Sequence, residues 1–258
     1  MLFPAFSRRL LMGLCLLGLG PGPSTWAQSP PLQERLSRVD TLRMEGNFRA
    51  ALDRANTLQR RHPENVEVLW RRALLLSDIG RRLEDEDETI AHHRRALRVA
   101  DSARTADSTH ARAHLVTALA AGRLTLHVGA ADRVRHSRIV RRHCDRALAL
   151  DSTLAPAYHL RGRWHREVAD IGFFKRALVR TFYGGLPDAS FSAAVADFKQ
   201  AIALESKPYN HLELAKTYLE MGREADARTQ LHRALNTSGS PFEDEHWREA
   251  RALLSTLK

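Results

Sequence analysis

One short phrase recurs along this chain of 258 residues and restricts what it can fold into. It reads Arg95-Ala96-Leu97, Arg146-Ala147-Leu148, Gln200-Ala201-Ile202 and Arg233-Ala234-Leu235. Each copy sits among apolar residues spaced three and four apart, the period of one helix face packed on another. The last two copies are 33 residues apart (201 to 234), the length of one helix–turn–helix hairpin in a stacked array. The earlier gaps, 51 (96 to 147) and 54 (147 to 201), mark hairpins that carry insertions. An array of this kind presents a surface to a partner and has no inherent place for catalysis.

From Leu32 onward almost nothing alternates as a strand would. Leu32, Leu36, Val39 and Leu42 form one helical stripe, Gly46-Asn47-Phe48 a turn, and Ala51, Leu52, Ala55 and Leu58 the next stripe, ended at Pro63. The second hairpin carries Val66, Leu69, Trp70, Ala73 and Leu76, stops at Ile79-Gly80, and resumes after the acidic run Glu84 to Glu88. Acids there suit the positive end of a helix dipole, and the run lacks the ligand spacing of a calcium loop. The third begins near His110, and its second helix runs from about Asp132 to Leu150. The fourth opens at Pro156 and is interrupted by Ile171 to Tyr183, a basic amphipathic stretch expected to plug the core between units. Gly184-Gly185-Leu186-Pro187 then turns the chain, and Asp188 or Ser190 caps the next helix. The fifth hairpin turns at Met221-Gly222-Arg223, and a last helix with Trp247, Ala250, Leu253 and Leu254 closes the array.

Small residues mark the close approach of paired helices: Ala73, Gly162 and Ala215 in first helices, Ala51, Ala194 and Ala227 in second helices. With bulky residues beside them, this pattern resembles the tetratricopeptide repeat. The expected fold is an all-α, tetratricopeptide-like helical-hairpin solenoid of about five hairpins plus a C-terminal capping helix, over residues 32–258. The stretches Gly162-Arg163-Trp164 with Glu167-Val168-Ala169, Phe182 through Phe191 with its Gly-Leu-Pro-Asp-Ala-Ser core, and Leu214-Ala215-Lys216-Thr217-Tyr218-Leu219 resemble the regulator of microtubule dynamics family. That resemblance implies association with microtubules and with mitochondrial or endoplasmic-reticulum membranes for eukaryotic members, and it brings no catalytic residues. This chain departs from them in carrying a bacterial-looking export signal, so a tubulin role is not carried over.

The signal reading rests on Arg8 and Arg9, the apolar run Leu10 to Leu19, and Thr25 and Ala27 at −3 and −1 of a cleavage site. Residues 1–27 are therefore expected to direct export, by a Sec rather than a twin-arginine route, with 28–31 as linker and the periplasm or exterior as destination; an uncleaved N-terminus would act as a membrane anchor. The formal net charge is +10, and 35 of the 40 basic residues are Arg, since only five are Lys. Bases alternate with acids along the helices, the pattern of a solvated face rather than of a nucleic-acid stripe, so no nucleic acid is expected as partner. Cys15 belongs to the signal, which leaves Cys144 without a disulfide partner.

Thirteen histidines invite a metal reading. His110 and His114 stand four apart, a zinc-compatible spacing, but no third ligand lies near in sequence; a solvated pair is expected. Cys144 falls three residues before Ala147, on the stripe that Phe198 and Leu231 occupy in their units, and reads as a buried structural thiol. Serines cluster at helix ends, where capping explains them, and no phosphate loop is present. No enzyme, cofactor or metal is therefore expected. The candidate partner surface is the concave groove, with His159, Arg163, Arg166 and Glu167 from the fourth hairpin and Lys216 and Glu220 from the fifth. Its mixed, mainly basic lining suits an acidic peptide or protein. The expected function is a protein-interaction scaffold, the alternative a peripheral membrane or envelope-assembly factor anchored through 171–183.

Overall fold

The computed structural model describes residues 30–257; the signal-peptide expectation and the first half of the linker fall outside these. Twelve helices make up the described residues. They pair as α1 (Leu32–Met44) with α2 (Phe48–Arg61), α3 (Val66–Gly80) with α4 (Glu86–Ala106), and α5 (Ala111–Leu124) with α6 (Ala130–Leu150). Next, α7 (Ala155–Ala169) pairs with α9 (Phe191–Leu204) across the inserted α8 (Phe173–Tyr183), α10 (Pro208–Glu220) pairs with α11 (Glu224–Leu235), and α12 (Glu243–Thr256) ends the array. Each first helix also packs on the second helix before it, so the hairpins stack into one unit, Leu32–Lys258.

The boundaries follow local chemistry. Asn65, Asp85 and Ser190 each accept a hydrogen bond from the backbone N–H three residues on, at 3.2, 2.8 and 3.1 Å, and so start α3, α4 and α9. The acids Glu86, Asp87 and Glu88 occupy the first turn of α4. Pro156 and Pro208 lie in the first turns of α7 and α10, where a missing N–H costs nothing. Gly222 ends α10 at φ 71°, a left-handed conformation that lets Arg223 N–H reach back to the Tyr218 carbonyl at 2.8 Å.

The recurring phrase is a packing device. Ala96, Ala147, Ala201 and Ala234 are fully buried, the preceding Arg or Gln is exposed, and the following aliphatic residue is buried or half-buried. Three residues earlier on the same face stand His93, Cys144, Phe198 and Leu231, all buried. Gly162 shows why the partner helix must be small there: a Cβ at that position would lie 3.0 Å from the Phe198 ring. Gly80 serves His93 in the same way, with its absent Cβ 2.8 Å from His93 Cε1.

Two expectations need correction. The described side chains of α8 do not plug the core: Leu178 is 56% and Phe182 70% exposed, and α8 meets the rest of the array chiefly along α6; Phe173 and Phe174, the adjacent pair expected to do so, lie outside the described side chains. Arg138 of α6 holds its end, donating to the Gly185 carbonyl at 3.1 Å and also to that of Tyr183. Nor are His110 and His114 a solvated pair. His110 Nε2 bonds Glu67 at 2.8 Å, while His114 is buried and stacked on His143, their Nδ1 atoms 2.9 Å apart. His114 Nε2 donates to the Ser108 carbonyl at 3.0 Å and Arg142 donates to His143 Nε2 at 3.4 Å, so His143 Nδ1–H donates to His114 Nδ1 and both rings are neutral. Sequence spacing could not reveal His143 as partner because it comes from the other helix of the hairpin.

Candidate functional site

The structure brings five of the six groove candidates into one charge network, and its centre is a residue that sequence reasoning passed over. Glu213 of α10 is buried, with its carboxylate 2.7 Å from Arg166, 3.1 Å from Lys216 and 3.8 Å from Arg163. Arg163 also meets Glu167 at 3.0 Å, Arg166 meets Glu220 at 3.5 Å, and Lys216 meets Glu249 of α12 at 2.6 Å. Burial alone would raise the Glu213 carboxyl pKa, but the three cations outweigh it and hold it well below the usual carboxylate range. Glu213 precedes Lys216 by three residues on the same helix face, so the i, i+3 rule was the available signal. The network ties α7, α10 and α12 together and satisfies most of these charges internally.

His159 stands apart from that chemistry. Its ring packs edge-on against Phe198 and Tyr209, with centroids 5.8 and 4.8 Å away. Asn210 Nδ2 donates to the Glu205 carbonyl, so Asn210 Oδ1 faces His159 Nδ1 at 2.8 Å and accepts its proton. Burial pushes the His159 pKa down to about 3, which keeps the imidazole neutral and adds no positive charge to the groove.

Beside the network lies a cavity of about 730 Å³, within the range of ligand sites. Leu119, Leu160, Trp164, Val168 and Ile171 line its walls, and α8 supplies Leu178, Val179 and Phe182 opposite them. Trp164 is locked by its indole N–H, which donates to the Ser137 carbonyl at 2.9 Å. Arg163 and Glu167 line this cavity too, so two of the groove candidates border it. Three further cations line it, Arg133, Lys175 and Arg123 of α5, of which Arg123 was missed as a site residue. Its Nε is buried without a hydrogen-bond partner, and no acid among the described residues forms an ion pair with it. Burial, then the neighbouring Arg163 and Arg81, lower its pKa to about 10, so it remains a cation at neutral pH. Nothing in the sequence separates Arg123 from the other arginines; only the cavity does.

Among the described residues no group of three His, Cys, Asp or Glu is arranged to hold a metal ion. Burial raises the Cys144 thiol far above its ordinary range, which removes its nucleophilic form.

Stacked hairpins with close-packed small residues define a tetratricopeptide-like helical-repeat protein, a fold suited to holding other proteins. The crystal structure of a thermophilic TPR protein of Thermus thermophilus superposes with a TM-score of 0.62 over 86% of this chain and 98% of that one, at 23% identity. The family model described as regulator of microtubule dynamics protein 1-3 matches residues 35–258, and the chain belongs to that family. Similar relatives include regulator of microtubule dynamics protein 3 of Xenopus laevis, 29% identical over 70% of this chain and 40% of that protein. Regulator of microtubule dynamics protein 1 of Bos taurus is 25% identical over 72% of this chain and 60% of its own length. The match thus spans about half the length of these relatives.

Proposed function

We propose that this chain is a non-enzymatic scaffold that holds a partner protein by an apolar segment carrying an acidic group, seated in the cavity between α5–α7 and α8. The observation that carries this reading is the juxtaposition of an apolar cavity of about 730 Å³ with Arg123, a half-buried arginine whose Nε is buried and which lacks an ion pair among the described residues. A desolvated cation in an apolar wall favours an anionic group brought in on an apolar body. Acidity of the partner therefore stays in the proposal, with the contact moved from the satisfied Glu213 network to Arg123. Replacing Arg163 and Lys216 would test the fold as much as the site. The cleaner experiment replaces Arg123 with Glu and captures partners by crosslinking, with exposed Arg223→Glu as control. Selective loss of a partner in R123E supports the reading; an unchanged partner set sinks it.

A second reading concerns α8. Leu178 and Phe182 are exposed on the same short helix as exposed Lys175 and Arg180, the composition of a helix lying at a membrane surface. No helix among the described residues is long and apolar enough to cross a membrane. Co-sedimentation with vesicles containing an anionic phospholipid, abolished by Phe182→Asp, would support it. Vesicles that leave the protein in the supernatant rule against it. Export by residues 1–27 is part of the proposal, and N-terminal sequencing of the mature protein near Gln28 checks it. The microtubule role named for the relatives is not carried over.

A further inference from the structure

The two ends of the array touch, and the contact is built from a different set of side chains than the terminal cap. Phe242, just before α12, stacks on Phe48 at the start of α2, with ring centroids 5.1 Å apart and planes 15° from parallel. The Arg81 guanidinium lies 4.2 Å from the Phe242 ring centre and also pairs with Glu245 at 2.6 Å. Arg82 sits 5.0 Å from the ring of Phe48. Phe242 therefore belongs to the hydrophobic cluster of the first hairpins, with Leu36, Val39 and Phe48. Five residues later the allegiance changes: the Trp247 indole N–H donates to the Ala234 carbonyl at 3.1 Å, and Glu249 pairs with Lys216 at 2.6 Å. Ala250, Leu253 and Leu254 belong to the cluster of the last hairpins, with Leu231 and Ala234.

From this division we infer that residues 238–245 are a releasable clasp: an internal ligand that holds the first and last hairpins together and occupies a docking surface formed by Phe48, Arg81 and Arg82. The clasp also specifies its competitor. The surface takes an aromatic ring followed by a carboxylate three residues on, at the start of an acidic helix, as in Phe242-Glu243-Asp244-Glu245. A partner segment of that chemistry would replace the clasp and open the array, while Leu253 and Leu254 keep the end cap in place. Geometry favours an intramolecular occupant at rest because the tether supplies it at high effective concentration. This inference does not depend on what occupies the cavity under α8.

The test uses the whole chain with Phe242→Ala and, as the conservative control, Phe242→Tyr. Losing a buried phenyl ring should shift the closed-to-open ratio by about ten- to a hundredfold. Backbone hydrogen exchange should then accelerate about tenfold over 238–246 and stay unchanged over 250–256. A fluorescein-labelled peptide spanning residues 238–250 should bind F242A at least about tenfold more tightly than the wild type or F242Y. The same peptide with Ala in place of its Phe should bind none of them. Equal peptide affinity for wild type and F242A would overturn the inference. So would loss of protection through all of α12, because clasp and cap would then be one structural unit.

Discussion

Replacing Glu213 with Ala tests the central physical claim, that the candidate groove charges are a structural network. Breaking a buried ion pair by removing one partner costs about 3–5 kcal/mol when the other is stranded. Here the stranding is partial, since Arg163 retains Glu167 at 3.0 Å, Lys216 retains Glu249 at 2.6 Å and Arg166 retains Glu220 at 3.5 Å. Arg166 is the worst placed, because it is 8% exposed and its remaining contact is the longest of the three. The expected loss is therefore about 2–4 kcal/mol, with E213Q less costly because it preserves volume. Urea denaturation followed by circular dichroism should show a midpoint lowered by about 1 M for a slope of about 2–3 kcal/mol/M. The pH dependence adds a second check. The folded-state pKa of Glu213 is depressed, so its contribution is fully present above the unfolded value of about 4.3 and is lost as pH falls through the folded value. The gap between wild type and E213A should be constant from pH 8 to 5 and narrow below pH 4. A loss under about 1 kcal/mol at pH 7, or a gap unchanged at pH 3, refutes the reasoning.

Other consequences are measurable. Burial lowers the pKa of His93, His143 and His246 to about 4 and that of His159 to about 3. The folded chain thus binds fewer protons than the unfolded chain between about pH 4 and 6.5, and stability should rise with pH across that window, by up to about 1.4 kcal/mol per unit for each histidine. Calorimetry should show a melting temperature that falls between pH 7 and 5; a flat profile contradicts the burial. Gly162→Ala and Gly80→Ala should each cost about 1–2 kcal/mol despite better helix propensity, since the new methyl meets buried Phe198 or His93. Denaturation midpoints at or above wild type would show that those rings can yield. Arg138→Ala should release the α8–α9 connection and speed trypsin cleavage at Arg180, read by mass spectrometry, with the rest of the array uncut. Cys144 should resist iodoacetamide in the native protein and react on unfolding, as peptide mapping would reveal.

Much of the fold was legible because helical-repeat packing is local. The phrase carrying Ala96, Ala147, Ala201 and Ala234 reports a buried small residue wherever it occurs, and its 33-residue spacing reports one hairpin. Caps at Asn65, Asp85 and Ser190, and the turn at Gly222, depend on residues a few positions away, which the sequence displays directly. Gly162 could be assigned to close packing for the same reason, although its partner Phe198 lies 36 residues on.

The candidate site was less legible. Arg163, Arg166, Glu167, Lys216 and Glu220 do come together on α7 and α10, but their charges are spent on one another around Glu213. Whether a charge faces solvent, a partner or a neighbouring helix depends on superhelical approach, which periodicity does not encode. The same applies to α8: its amphipathic pattern says it has an apolar face, and only the packed array leaves Leu178 and Phe182 uncovered.

By itself, then, the sequence determined the class of fold, the order of the hairpins, their buried stripes and the position of the insertion, because each depends on contacts within about one repeat. Tertiary structure alone decided the cavity at Arg123, the neutral pair His114–His143 and the meeting of Phe242 with Phe48 across the array. Those features join residues from different helices, and the last spans nearly the whole repeat region. They arise from small rotations between successive hairpins, which accumulate along the stack and leave no mark in any single repeat.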